Sequence, residues 1–182
     1  MKIITVKAKV FGSDSNMELM DFNNADRKKW KQVFDTWKEL KMAMRDYKSR
    51  EPNLPEGLSE VAFCLFSGSK RFISLQGGAS SSFDTFNIKT GRAEQIKATS
   101  VRPDLTSFGP RSKWDDLYFL DFFSNGKLDG TFDVYKIPSE LIYKRPNFIA
   151  QQKQGRRPRF SIEIEIISGR GIKPLASSVK VW

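Results

Sequence analysis

Apolar and polar positions change period several times along the chain, and each change marks an element. Between residues 3 and 11, Ile4, Val6, Ala8 and Val10 alternate with Lys7 and Lys9, the two-residue period of a half-buried strand. The alternation stops at Gly12-Ser13-Asp14-Ser15. From about Ala25 to Lys48, Trp30, Val33, Trp37, Leu40, Met44 and Tyr47 recur at steps of three and four, which predicts a long amphipathic helix with a heptad-like seam. Asn23 or Asn24 can cap its start. Such a seam faces either the core of its own chain or a second copy of the same helix. Asn53-Leu54-Pro55-Glu56 opens a second helix that runs to about Phe66, with Leu58, Val61, Ala62 and Leu65 on its buried face and Glu60 beside that face.

Residues 70–100 read as a β meander interrupted at Gln76-Gly77-Gly78 and Lys89-Thr90-Gly91. The nearly continuous apolar run from Trp114 to Phe123 predicts a buried strand entered from a helical turn. After Ser124-Asn125-Gly126 the chain returns in a strand over Thr131–Ile137, and Pro138–Tyr143 begins a short helix. Near the C-terminus, Phe160, Ile162, Ile164 and Ile166 alternate with Ser161, Glu163 and Glu165 and predict another strand, with Val179–Trp182 as an added edge. The pattern as a whole is α/β of the α+β kind, a central mixed sheet flanked by helices. One domain over residues 1–182 is expected, with an N-terminal strand and long helix in 1–50 and a core in 54–174. There is no internal repeat or low-complexity segment.

Charge narrows the partners. The chain has 31 Lys+Arg against 21 Asp+Glu, a formal charge of +10, which favours a polyanion and above all nucleic acid. A ribosomal-type or membrane-surface protein could carry the same balance. The single Cys64 can form neither an internal disulfide nor a zinc cluster, which fits a reducing cytoplasm. Lysines break the N-terminal run Met1–Lys7 before it resembles a signal, and nowhere do enough apolar residues follow one another to span a bilayer, so a soluble protein is expected. The chain has no histidine, which removes His-triad hydrolases, His-metal nucleases and zinc hydrolases. Catalysis would have to run on carboxylates and lysine, with a hard oxygen-ligated cation, Mg²⁺.

One stretch suits that chemistry. Ser80-Ser81-Ser82-Phe83-Asp84 is followed, after a turn, by Gln95-Ile96-Lys97-Ala98-Thr99-Ser100. On a hairpin, residues two apart share a face, so Gln95 and Lys97 project together while Ile96 packs inward and Asp84 lies on the neighbouring strand. Phosphodiester hydrolysis needs charge neutralised on the phosphate and a water delivered in line. Asp84 could ligate the metal, Gln95 and the Ile96 carbonyl could add oxygens, and Lys97 could orient or deprotonate the water. An amide in place of a second carboxylate leaves a charge deficit, for which Glu60 is the candidate. Read from the residues alone, Asp84 could equally cap a turn, with Gln95 and Lys97 in solvent. Asp115, Asp116, Asp121 and Asp133 are rival acids, but they lack the lysine that follows Gln95 at two positions.

Phe83-Asp84, ten intervening residues and Gln95-Ile96-Lys97 resemble the motif of the PD-(D/E)XK nuclease superfamily, with Phe83 in place of proline and Gln95 in place of an acid. The blocks Gln95–Val101, Asp104–Pro110, Trp114–Phe119, Asp129–Asp133 and Gly155–Ile162 resemble one family of small type II restriction endonucleases, whose name-giving members cut GCNGC. The resemblance runs from about Leu54 to Pro174. It implies a restriction-endonuclease-like core, Mg²⁺-dependent cleavage of unmodified double-stranded DNA and a partner DNA methyltransferase. It also implies a homodimer matched to a palindrome, for which the long helix could supply the interface. Lys153, Arg156, Arg157 and Arg159 are candidates for DNA contact, since arginine fits the guanine O6 and N7 edge, although they could also hold phosphates. Thr106, Ser107, Arg111 and Lys113 form a second patch suited to phosphates. Lys28, Lys29 and Lys31 read as a solvated helix face. Two other functions stay open, a non-catalytic basic DNA-binding module and a repair or structure-specific nuclease with the same site.

Overall fold

The computed structural model describes residues 1–75, 82–109 and 112–182. The chain begins with a hairpin of β1 (Lys2–Val10) and β2 (Ser13–Asp21), in register from Lys2 opposite Asp21 to Val10 opposite Ser13. The second strand replaces the break expected at Gly12. Phe11 and Gly12 have φ of 51° and 87°, the left-handed pair that a two-residue hairpin turn requires. Polar Ser13-Asp14-Ser15-Asn16 hides the alternation at the turn, but Met17 and Leu19 are buried with Val10, Phe83, Phe86 and Ala93.

Helix α1 (Asn24–Asp46) starts on a reciprocal cap, in which Ala25 N–H donates to Asn23 Oδ1 at 2.8 Å and Asn23 N–H to Asp26 Oδ2 at 2.9 Å. Its buried stripe is Trp30, Phe34, Trp37 and Lys41, not the predicted seam. Of that seam, Val33, Leu40 and Tyr47 are 47%, 53% and 81% exposed. Trp30 and Trp37 belong to both series, and Phe34 and Lys41 win because a straight helix advances 3.6 residues per turn. The Lys41 ammonium is accepted in the core because Glu51 pairs with it at 2.6 Å. Helix α2 (Glu56–Ser67) packs beside α1, where the indole N–H of Trp30 donates to Leu58 O at 2.8 Å.

The remaining elements are β3 (Lys70–Leu75), β4 (Thr85–Asn87), β5 (Arg92–Thr99), β6 (Thr106–Ser107), β7 (Asp116–Asp121), β8 (Phe132–Ile137), α3 (Glu140–Tyr143), α4 (Pro146–Lys153), β9 (Arg159–Phe160) and β10 (Ala176–Val179). Eight strands form one mixed sheet in the order β1-β2-β3-β4-β5-β7-β8-β10, with β5 and β7 parallel and the other pairs antiparallel. Its central strands bury residues on both faces. Ile96, Leu120, Phe122 and Val134 pack against α1 and α2. Leu117, Phe119 and Ile137 pack against Phe108, Trp114, Ile142, Phe148 and Phe160. The central mixed sheet flanked by helices is the arrangement expected from the sequence.

The predicted C-terminal strand is replaced beyond Phe160. Residues Glu163–Ser168 form a π-helix, with Ile162, Ile166 and Ile167 buried and Ile164 exposed. The alternation was real, but Asp104 captures its backbone: Ile162 N–H and Glu163 N–H donate to its carboxylate at 3.0 and 3.1 Å, which fixes a helical start. β7 is entered from irregular chain with a bend at Asp115 and not from a helical turn. The expected edge at Val179–Trp182 lies earlier, as β10, and Trp182 stacks on Trp30 with ring centroids 5.8 Å apart. Gly130 makes room for this stack. It has φ +94°, and a Cβ there would lie 3.1 Å from Trp182 and 3.4 Å from Phe34. Gly130→Ala is therefore expected to lower stability by about 1–3 kcal/mol, to be checked by thermal melting.

Candidate active site

Asp84 stands immediately before β4, and the ladder holds its backbone on both sides. Its N–H donates to Glu94 O at 2.9 Å, and its carbonyl accepts from Phe72 N–H at 2.9 Å. The β4–β5 register pairs Thr85 with Glu94, so one step further Asp84 falls opposite Gln95. Gln95 and Lys97 share that face, and Ile96 points the other way into the core against α1 and α2. The side chains meet as well. Asp84 Oδ2 accepts from Ile96 N–H at 2.8 Å and from Gln95 Nε2. The carboxylate, amide and lysine singled out in the sequence thus lie on one face of one hairpin.

Electrostatics at Asp84 favour a cation. Burial pushes its carboxyl up to about 7; Lys97 and the Ile96 N–H pull it down, while Glu60 and Glu56 push it further up. A carboxylate whose charge is opposed by burial and by two acids is relieved by a positive ion. Glu60 is buried on α2, and Arg71 Nε donates to its carboxylate at 2.5 Å. Glu56, at the exposed start of α2, was read in the sequence only as a helix opening. Among the described residues no cluster of three or more Asp, Glu or Cys side chains is arranged to hold a metal. A metal would instead rest on a mixed oxygen set: the Asp84 carboxylate, the Gln95 amide and the Ile96 carbonyl. These hard donors fit Mg²⁺ and not zinc.

The rival acids are engaged elsewhere. Asp116 is buried and paired with Arg92 at 2.5 Å and Lys136 at 2.9 Å, which hold its carboxyl below the usual range against the cost of burial. Asp115 accepts from Ala93 N–H at 2.8 Å, Asp121 pairs with Arg102, and Asp133 accepts from Ser178 N–H at 2.8 Å. Glu94 is buried on the opposite face of β5 and accepts from Thr85 Oγ1 at 2.8 Å.

A cleft of about 680 Å³ opens beside Lys97, lined also by Arg50, Asn53, Glu56, Ser107 and Arg159. Two patches that are far apart in sequence come together here. β6 and β9 form a two-stranded ribbon with Ser107 opposite Arg159 and Thr106 opposite Phe160. Asp104, missed in the sequence, latches it: besides the two N–H groups of the π-helix, its carboxylate accepts from Thr106 Oγ1 at 2.9 Å and from Ser161 Oγ. The Thr106 hydroxyl is therefore spent on an internal bond, whereas Ser107 and Arg159 face the cleft. Lys153, Arg156 and Arg157 are exposed at the end of α4 and in the loop after it, and Lys113 is exposed before β7, none of them in the cleft wall. Arg111, like Gln76-Gly77-Gly78 and Ser80-Ser81, lies outside the described residues. Only the β6–β9 pairing could have united these patches, and two-residue strands leave no periodic signal. No helix among the described residues is long and apolar enough to cross a membrane.

The chain is similar to known proteins over most of its length. A family model described as Bsp6I restriction endonuclease matches residues 22–169, from the entry to α1 through the π-helix, and so includes the β4–β5 hairpin and the ribbon. The type II restriction enzyme Bsp6I of Bacillus sp. (strain RFL6) is 32% identical over 171 residues, spanning 88% of this chain and 93% of that protein. No solved structure matches. With most of both chains covered and the hairpin and ribbon inside the matched span, this chain belongs to the Bsp6I restriction endonuclease family of type II enzymes.

Proposed function

We propose that the chain is a Mg²⁺-dependent nuclease of the PD-(D/E)XK type that cuts both strands of DNA at a short GC-rich palindrome of the GCNGC kind. The observation that carries this reading is the convergence of Asp84, Gln95 and Lys97 on one hairpin face beside a cleft lined by Arg159. Asp84 would hold the ion, with Gln95 and the Ile96 carbonyl as the remaining protein donors and Glu60, paired with Arg71, adding negative charge from α2. Bound Mg²⁺ supplies Lewis-acid neutralisation of the charge that builds on the phosphate. Lys97, as an ammonium, orients the attacking water and stabilises the hydroxide that forms as the water's proton passes to bulk solvent, and Gln95 fixes the Asp84 carboxylate through the bond between them.

Arg159 and Ser107 grip the duplex across the cleft, with Lys113 and Arg111 as further phosphate contacts. Lys153, Arg156 and Arg157 extend the basic surface. Arg159→Ala is expected to weaken DNA binding about tenfold and to reduce its salt dependence, measured by titration of a labelled duplex at several ionic strengths. A palindrome calls for two copies, and the exposed Val33, Leu40 and Tyr47 of α1 offer the apolar contact for a homodimer. In a cytoplasmic setting a companion DNA methyltransferase would protect host sites.

Digestion of plasmid DNA with the purified chain and Mg²⁺ tests the reading. Discrete fragments with GCNGC-type termini support it. A smear points to a nuclease without sequence preference, and binding without cleavage under any divalent metal points to a non-catalytic DNA-binding module.

A further inference from the structure

We propose that Phe108 is a positioning residue whose ring face holds the Lys97 ammonium at the reacting centre, an inference that rests on Lys97 acting in cleavage. The Lys97 Nζ lies 5.6 Å from the Phe108 ring centroid. A cation over an aromatic face at this distance is attracted by the ring's negative face, more strongly where water is partly excluded. Among the described residues that ammonium makes no hydrogen bond or ion pair, so the ring is a fixed partner for it besides the field of Asp84. A lysine on a four-carbon stem needs such a partner, because its many rotamers otherwise dilute the productive one.

The ring itself cannot move away. Phe108 is 1% exposed and stacks on Phe160 at 5.5 Å and 21°, with Trp114 at 5.5 Å and Phe148 at 6.0 Å completing its cage. Its N–H donates to Pro158 O at 3.1 Å, which extends the β6–β9 ribbon by one bond. Phe108 is therefore mounted on the same unit as Ser107 and Arg159, and Asp104 latches that unit to the start of the π-helix. Arg159 and the ring are thus held at a fixed distance from one another through the ribbon. Phe108 thereby joins DNA engagement to the placement of Lys97.

The test replaces Phe108 in the full chain by a trifluorinated phenylalanine, which keeps the shape and apolarity of the ring but drains its negative face. The single-turnover cleavage rate with Mg²⁺ is expected to fall about three- to tenfold, with a monofluorinated ring intermediate, while the melting temperature and the affinity for duplex DNA in Ca²⁺ stay unchanged. A purely structural role would show as a graded change in melting temperature, because the contacts of Phe108 with Phe160, Trp114 and Phe148 also depend on the ring's charge distribution, and not as a loss of rate at unchanged stability. An unchanged rate with the trifluorinated ring, or a loss confined to DNA affinity, overturns the inference while leaving Lys97 in place. Activity in Lys97→Ala would overturn the reading of Lys97 on which it rests. Phe108→Leu serves as a second variant and is expected to lose more rate than the fluorinated ring.

Discussion

Lys97→Ala is expected to lower the single-turnover rate of Mg²⁺-dependent DNA cleavage by about a thousandfold, while binding of the same duplex in Ca²⁺ changes little. The size follows from what is removed. Lys97 is the cation beside Asp84 on the hairpin face, and alanine leaves neither a donor to orient the attacking water nor a positive charge near the phosphate. Binding survives because Arg159 and Ser107 stand on a separate ribbon whose bonds do not involve Lys97. Asp84→Asn should show the same loss, since the amide keeps an oxygen for Ile96 N–H but contributes no charge to a divalent ion. Gel-shift titration and quenched-flow cleavage on one duplex separate the two effects. A Lys97→Ala protein within tenfold of the parent rate would remove lysine from the chemistry.

The second large effect concerns pH. Burial holds the Asp84 carboxyl up to about 7, against 3.8 for an ordinary aspartate. The folded chain thus binds this proton more tightly than the unfolded chain does. The stabilisation is fully present below about pH 4 and is lost as pH rises through about 7, at about 1.4 kcal/mol per pH unit over that window. This group therefore lowers the melting temperature of metal-free protein at pH 8 relative to pH 5. Asp84→Asn removes the loss, so at pH 8 the inactive variant is expected to be more stable than the metal-free parent by a few kcal/mol. Ca²⁺, which needs the ionised carboxylate, should raise the parent's melting temperature more at pH 8 than at pH 6 and should leave Asp84→Asn unaffected at both. Melting curves over this range check each point, and an Asp84→Asn protein less stable than the parent at pH 8 would contradict them. Active sites are commonly maintained at such a cost to stability.

The hairpin was legible because two local signals coincide there: the turn at Lys89-Thr90-Gly91 and a two-residue spacing that puts Gln95 and Lys97 on one face. The helices and central strands announced themselves through period in the same way. What stayed hidden depended on contacts distant in sequence. Asp104 reaches Ile162 and Glu163, and in doing so converts an alternating run that resembles a strand into a π-helix. The stripe of α1 is ambiguous in the sequence because Val33 and Phe34 are adjacent and both apolar; the docking of Phe34 onto Trp30 and Phe122 decides between them. β2 was lost behind four polar residues at its turn. The partner of Lys97 was invisible because Phe108 carries no motif and approaches through the fold.

A crystal of the full chain grown with Ca²⁺ and a short duplex containing GCNGC gives the most direct test of a site built on Asp84, Gln95 and Lys97. The expected result is one Ca²⁺ bound by the Asp84 carboxylate with side-chain or carbonyl oxygens of Gln95 and Ile96, and a backbone phosphate between that ion and the Lys97 ammonium. A duplex seated with its phosphates away from Asp84, or an ion held by other acids, would contradict it.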